Sequence, residues 1–407
     1  MKKLLVLFSL ITIMANAQPA KVYVVLFTHI EDNLPIGVLG TTEARISYLS
    51  VRSKLIDMAN LASSYSVRWS YQPDWKILLA AFIYEDSSVI ATTNGKNILR
   101  YLKEDKGVII DPHSHEKLGY NYTDVAWLLD SLGVGGSTVI GGHVWDPSLP
   151  QFQNWDRYRV PVRGTKYPWA IWRGNILMGS GTPNHTNDPQ ISGVWRPKDR
   201  YNYFKDDTLG NIYCIGQYKS DIASISELIA LYDSGKVSNN KMLTSSYHIK
   251  PNVLTAINGI TIIENTVIKP LVAMRDANKI NITDFTTLIN DWKTIYNSKP
   301  YIYDPNSPTK VDLAEEHNPK EFELYQSYPN PFNSQVNIGF NITRPGRVNI
   351  SIFNLLGEKV AILIDKTLEN VGYQKLQWNA NNIPSGIYYV IMKYNESKQI
   401  KGMICLK

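Results

Sequence analysis

Four segments of this chain place histidine at or just past an apolar, β-branched run. His29 follows KVYVVLFT in THIEDN, His113 and His115 follow GVIID in DPHSHE, His143 closes STVIGGH, and His248 closes MLTSSYH. Each run reads as a strand. In parallel α/β sheets and barrels the carboxyl ends of the strands converge on one site. Imidazoles gathered there, with Glu31, Asp32, Asp111 and Glu116 close in sequence, make a donor set for a first-row divalent metal, zinc being the one expected. A lone histidine of this kind is more often a packing residue; several at equivalent places point to a metal. The matching chemistry is hydrolysis, because such a metal lowers the pKa of water and polarises a carbonyl. His143, Trp145, Trp172 and Trp195 are candidates for the walls of a carbohydrate cleft, since indole faces suit sugar rings. Core packing explains the same tryptophans equally well. His185, in TPNHTND, reads as solvated, and His317 falls in a linker.

The elements that would position these residues alternate. Strands are expected at 21–28, 66–71, 107–111, 137–143 and 242–248. Helices are expected over 43–63, 94–104, 123–132 and 222–233, with two more within 265–297. Alternation of this kind predicts an α/β fold with a parallel sheet or (β/α) barrel. The pattern changes after KPYIYDPNSPT (299–309). From 322 to 407 short alternating runs such as VNIGFNI, RVNISIFN and IYYVIMKYN predict a small antiparallel, all-β Ig-like sandwich. The organisation expected is therefore a signal peptide at 1–17, an α/β domain over 18–310, a linker at 311–321 and a β-sandwich domain over 322–407.

Residues 1–17, MKKLLVLFSLITIMANA, have a basic start, an apolar core too short to span a bilayer, and an Ala-Asn-Ala cleavage site. Export is the expectation, with no transmembrane segment in the mature protein. The net charge of +6 is mild and its Lys and Arg are scattered, which argues against a nucleic-acid partner. Cys214 and Cys405 fall in different predicted domains, so no disulfide framework is expected.

The tail motifs YPNPFN (328–333), IFNLLGEKV (352–360) and IPSGIYYVIM (383–392), in that order, strongly resemble the type A sorting domain of the bacterial type IX secretion system. That resemblance implies passage across the outer membrane by way of the type IX machinery, and secretion or cell-surface attachment. The order of strand-end residues in the first domain resembles the polysaccharide deacetylase superfamily, which implies a distorted, seven-stranded (β/α) barrel. The resemblance assigns Glu31 as general base, Asp32, His113 and His115 as metal ligands, His248 as general acid, and Arg196 of Trp195-Arg196-Pro197 as the residue orienting the base carboxylate. His113-Ser114-His115 departs from that family's wider histidine spacing, and the two rings share a side only if the backbone stays extended. The expected activity is metal-dependent deacetylation of a polysaccharide. The alternatives are a glycosidase pairing Glu31 with Asp111 or Glu116 across roughly 5–10 Å, or a non-catalytic glycan-binding surface protein.

Overall fold

The computed structural model describes residues 20–143, 154–178, 188–199, 202–306, 322–325, 327–395 and 397–407. The segment read as a signal peptide, the linker 311–321, Trp145, His185 and His317 lie outside these residues. The described residues form two compact units, one up to residue 306 and one from residue 322.

The main strands of the first unit are β1 (Val22–Ile30), β2 (Ser70–Pro73), β3 (Ile109–Ile110), β4 (Val139–Ile140), β5 (Ile176–Met178), β6 (Ser192–Trp195), β7 (Tyr213–Ile215), β8 (Thr244–His248), β9 (Ile280–Thr283) and β10 (Tyr301–Tyr303). Its longer helices are α1 (Thr42–Ser64), α2 (Trp75–Tyr84), α3 (Tyr122–Ser131), α4 (Ile222–Asp233) and α5 (Phe285–Thr294). The architecture is mixed α/β. In one sheet β1 is central and parallel to β2, β8 and β9, with β3 parallel to β2. A second sheet runs β10-β6-β7-β5-β4, parallel among β4, β5 and β7 and antiparallel at β6 and β10.

Every residue of β1 is buried, as a continuous apolar strand inside a covered parallel sheet should be. Its alternation sorts two cores. Val22, Val24, Leu26 and Ile30 pack with α1 and α2, whereas Tyr23, Val25 and Phe27 pack with Val139, Ile176, Met178, Val194, Ile215 and the apolar face of α5. His29 continues the second set. The helices start where short polar side chains satisfy free backbone N–H groups. Thr41 caps α1, Asp74 caps α2, and Asn121 with Asp124 forms a capping box on α3.

The helices expected at 43–63, 123–132 and 222–233 are α1, α3 and α4. Helix α2, an almost wholly apolar stretch, and β5, β6 and β7, which are three or four residues long, were not anticipated. Between the two helical segments expected within 265–297 lies β9.

The second unit has a three-stranded antiparallel sheet (Phe322–Leu324, Gln335–Ile342, Gly372–Asn379) and a four-stranded one (Lys359–Leu368, Gly346–Asn354, Gly386–Tyr394, Ser397–Cys405). Phe340, Ile338, Ile350, Ile352, Val390 and Met403, drawn from both sheets, share one apolar cluster. Cys214 and Cys405 are both buried and neither forms a disulfide among the described residues.

Candidate metal centre

Strand register decides which residues meet. Phe27 of β1 pairs with Ser70 and His29 with Gln72, so their side chains leave the same face of the sheet. His113 forms a parallel bridge with Gly141 beyond the ends of β3 and β4. His248 ends β8, where it pairs with Phe27. The carboxyl ends of β1, β3 and β8 thus carry His29, His113 and His248 to one place. The His29 and His248 rings are 3.9 Å apart between centroids, and His29 and His113 are 4.4 Å apart. Phe27 supports His248 from below, stacked at 5.0 Å.

Glu31 lies one step past β1, in phase with His29, because alternate residues of extended chain share a side. Its Oε1 sits 3.4 Å from His29 Nε2 and 3.4 Å from His115 Nε2. Hydrogen bonding to His115 and then to His29 holds the Glu31 carboxyl well below the usual carboxylate range. One donor atom each from His29, Glu31 and His113 lie within 4.8 Å of one another.

His113 is fully buried, and burial, reinforced by the neighbouring His29, pushes its pKa well below that of a free imidazole. Neither of its ring nitrogens has a hydrogen-bond partner among the described residues. The GGH segment closes over it. A Cβ on Gly142, at φ +79°, would fall 2.6 Å from the His113 ring, so only glycine fits there. His115 is carried by a turn that Ser114 fastens, accepting from the Glu116 N–H at 2.8 Å and donating to the Tyr120 carbonyl at 2.9 Å. The His113 and His115 rings lie edge to face at 4.9 Å, so the close His-x-His spacing does bring both imidazoles to Glu31.

The structure places the other expected residues elsewhere. Asp32 is out of phase with His29 and Glu31 and accepts from Lys117 Nζ at 2.9 Å, outside the donor group. Arg196 does not orient Glu31: it forms a two-pronged pair with Asp206, at 3.0 and 2.7 Å, and lies over the Trp292 ring. Trp195 is no cleft wall, being fully buried with its indole N–H donating to the Tyr203 carbonyl. His143 is buried against Tyr203 and belongs to the packing around it. Trp172 is half-buried and donates to the Ser137 carbonyl at 2.9 Å. Glu116 is paired with Arg157, and Asp111 is fully enclosed, accepting from Ser137 Oγ at 2.6 Å.

Two residues at the site had no assigned role in the sequence. His29 was visible as a strand-end histidine, and its phase with Glu31 was the available signal. Asp74, which caps α2 at the end of β2, is nearly buried, and that burial pushes its carboxyl up to about 7.

Residues 326–406 match the family model of the secretion system C-terminal sorting domain. No curated protein matches the sequence. Among solved structures, dimeric latent PorU from Porphyromonas gingivalis is 17% identical over 21% of this chain and 9% of its own, with a TM-score of 0.18. The sulfur carrier protein SoxY from Chlorobium limicola is 14% identical over 22% of this chain and 76% of its own, with a TM-score of 0.15. A protein from Parabacteroides distasonis, provisionally assigned as a glycoside hydrolase/deacetylase, is weakly similar: 8% identity, 86% of each chain, TM-score 0.43. Among the described residues no helix is long and apolar enough to cross a membrane. The C-terminal unit is a type IX sorting domain, and it marks this chain for export and for secretion or attachment at the cell surface.

Proposed function

We propose that the first unit is a metal-dependent hydrolase that removes acetyl groups from a polysaccharide outside the cell. The observation that carries this reading is the convergence of His29, Glu31 and His113 within 4.8 Å at strand ends. Two imidazoles and a carboxylate suit a first-row divalent ion, zinc foremost. The fit is supported by His113, a buried imidazole with two unpartnered nitrogens, which is costly unless something binds it. A divalent ion held there supplies Lewis acidity toward water and an acyl carbonyl.

The protein's own groups divide the remaining work. Glu31, kept ionised between His29 and His115, is the only carboxylate of the donor set and serves there as a ligand rather than as the general base first expected. His248, lying on His29 and Phe27, is placed to return a proton to the leaving group. His29 takes over the ligand role first expected of Asp32. We infer the domain plan 1–17, 18–310, 311–321 and 322–407, the last an Ig-like sandwich. We also infer that seven parallel strands, β1 to β5 with β7 and β8, run as a distorted (β/α) barrel. The His113–Gly141 bridge and the 3.2 Å bond from Ser246 N–H to the Gln217 carbonyl support that path.

The test is metal analysis of purified protein with acetate release from acetylated chitooligosaccharide and acetylated xylan. One zinc per chain and acetate release are expected, with the metal lost in His113→Ala. Failure to bind any divalent metal refutes the reading, and metal binding without acetate release from any acetylated glycan reduces it to a binding protein.

A further inference from the structure

A cavity of about 190 Å³ opens between α3 and the hairpin of Val162–Arg163 with Ile171–Trp172. Trp127 and Asp130 of the helix line it, with Ala170, Ile171 and Trp172 of the hairpin and Ser137 ahead of β4. None of the imidazoles or carboxylates of the strand-end group does.

The cavity is built rather than incidental. The fully buried Asp124 carboxylate accepts from the backbone N–H groups of Thr165, Lys166 and Tyr167 at 2.9–3.0 Å. That clamp holds the hairpin turn on the helix. Gly164 is needed there, because a Cβ would fall 2.4 Å from Asp124 Oδ1. Tyr167 in turn packs on Trp127, 4.0 Å between centroids, and the Trp172 indole is tied to Ser137. Both indoles are therefore fixed before any ligand arrives, which lowers the entropic cost of binding. Asp130 is exposed at the rim, and its carboxylate has no hydrogen-bond or ion-pair partner among the described residues. A Cβ on Gly135 would meet its carboxylate oxygen at 2.6 Å, so glycine is what leaves room for it.

We propose that this cavity binds one pyranose ring of a neutral oligosaccharide, as a glycan site separate from the strand-end centre. The volume falls below the ~300 Å³ at which drug-sized sites begin, and so suits a single ring. Among the described residues no Lys or Arg lines it, which argues against phosphate and carboxylate ligands. Two indoles offer apolar surface to ring C–H groups, while Asp130 and the local carbonyls accept hydroxyls. Trp169 is 65% exposed and meets Trp127 edge to face at 5.9 Å, giving the next sugar of a chain a platform. This assignment does not depend on the hydrolase reading.

Titration calorimetry of the full chain with chitohexaose and xylohexaose tests it, with variants Asp130→Ala and Ala126→Phe. Ala126 is a half-buried helix residue at the cavity wall, so the larger ring blocks the space with little demand on the core. Saturable binding of at least one hexaose is expected, about tenfold weaker or worse in each variant, with melting temperature and metal content unchanged. The proposal is overturned if neither sugar saturates, if both variants bind as the parent does, or if binding disappears in His113→Ala instead. It is also overturned if a tryptophan-containing tripeptide saturates the cavity and the sugars do not.

Discussion

Burial of His143 makes a quantitative prediction about acid stability. Burial, with the positive charge of Arg157 added to it, lowers the His143 pKa to about 3 in the folded protein. An exposed histidine in the unfolded chain titrates near 6.5. Because the folded pKa is depressed, the stability is fully present above pH 6.5 and is lost as pH falls toward 3. At pH 5 the unfolded state gains about 1.5 pH units of proton binding that the folded state lacks, or ~2 kcal/mol. Below pH 3 the loss levels off near ~5 kcal/mol. His143→Phe keeps a ring against Tyr203 and removes the titration, and His143 Nε2 has no hydrogen-bond partner among the described residues to lose. Urea unfolding followed by tryptophan fluorescence at pH 7 and pH 5 measures the difference. Nine of the ten tryptophans precede residue 310, so the signal reports the first unit. The parent should lose ~2 kcal/mol more than the variant between the two pH values. Equal losses, or an NMR titration of His143 centred near pH 6.5, would refute the argument and return His143 to the cleft-wall role expected from its place after a strand.

The proposed metal centre, its cradle and the tail give three more expectations. Asp32→Asn should leave zinc stoichiometry unchanged while His29→Ala removes the ion, as read by elemental analysis; the reverse pattern restores the ligand set expected from sequence. Gly142→Ala forces a side chain into φ +79° against the His113 ring. It should destabilise the fold by about 1–3 kcal/mol and weaken zinc binding at least in proportion, measured by denaturation and competition with a chelator. Removing residues 322–407 in the native host should leave the first unit inside the cell envelope, whereas the intact chain reaches the surface or medium by fractionation; surface delivery without the tail would contradict its sorting role.

Sequence periodicity exposed the frame more readily than the site. β1 and α4 were legible because one is a continuous β-branched run and the other keeps a clear helical phase. β5, β6 and β7 were not, because strands of three or four residues among Gly, Asn and Pro leave too few positions to show any period. Helix α2, WKILLAAFIY, is apolar on nearly every side and so has no stripe to read. At the site, the pairing of Glu31 with Asp32 drew the ligand role to adjacent residues, but extended chain sends neighbours to opposite sides. The same rule applied one residue earlier selects His29 with Glu31 and rejects Asp32, and it makes the His113-x-His115 spacing a reason to expect both rings at one carboxylate. Arg196 fails for a different reason. Its partner Asp206 lies ten residues away across a loop, and a half-buried carboxylate that close captures the guanidinium before any strand-end acid can reach it. Local phase was therefore enough to find the donors that sit on strands, while residues carried by loops could be placed only by the contacts those loops make.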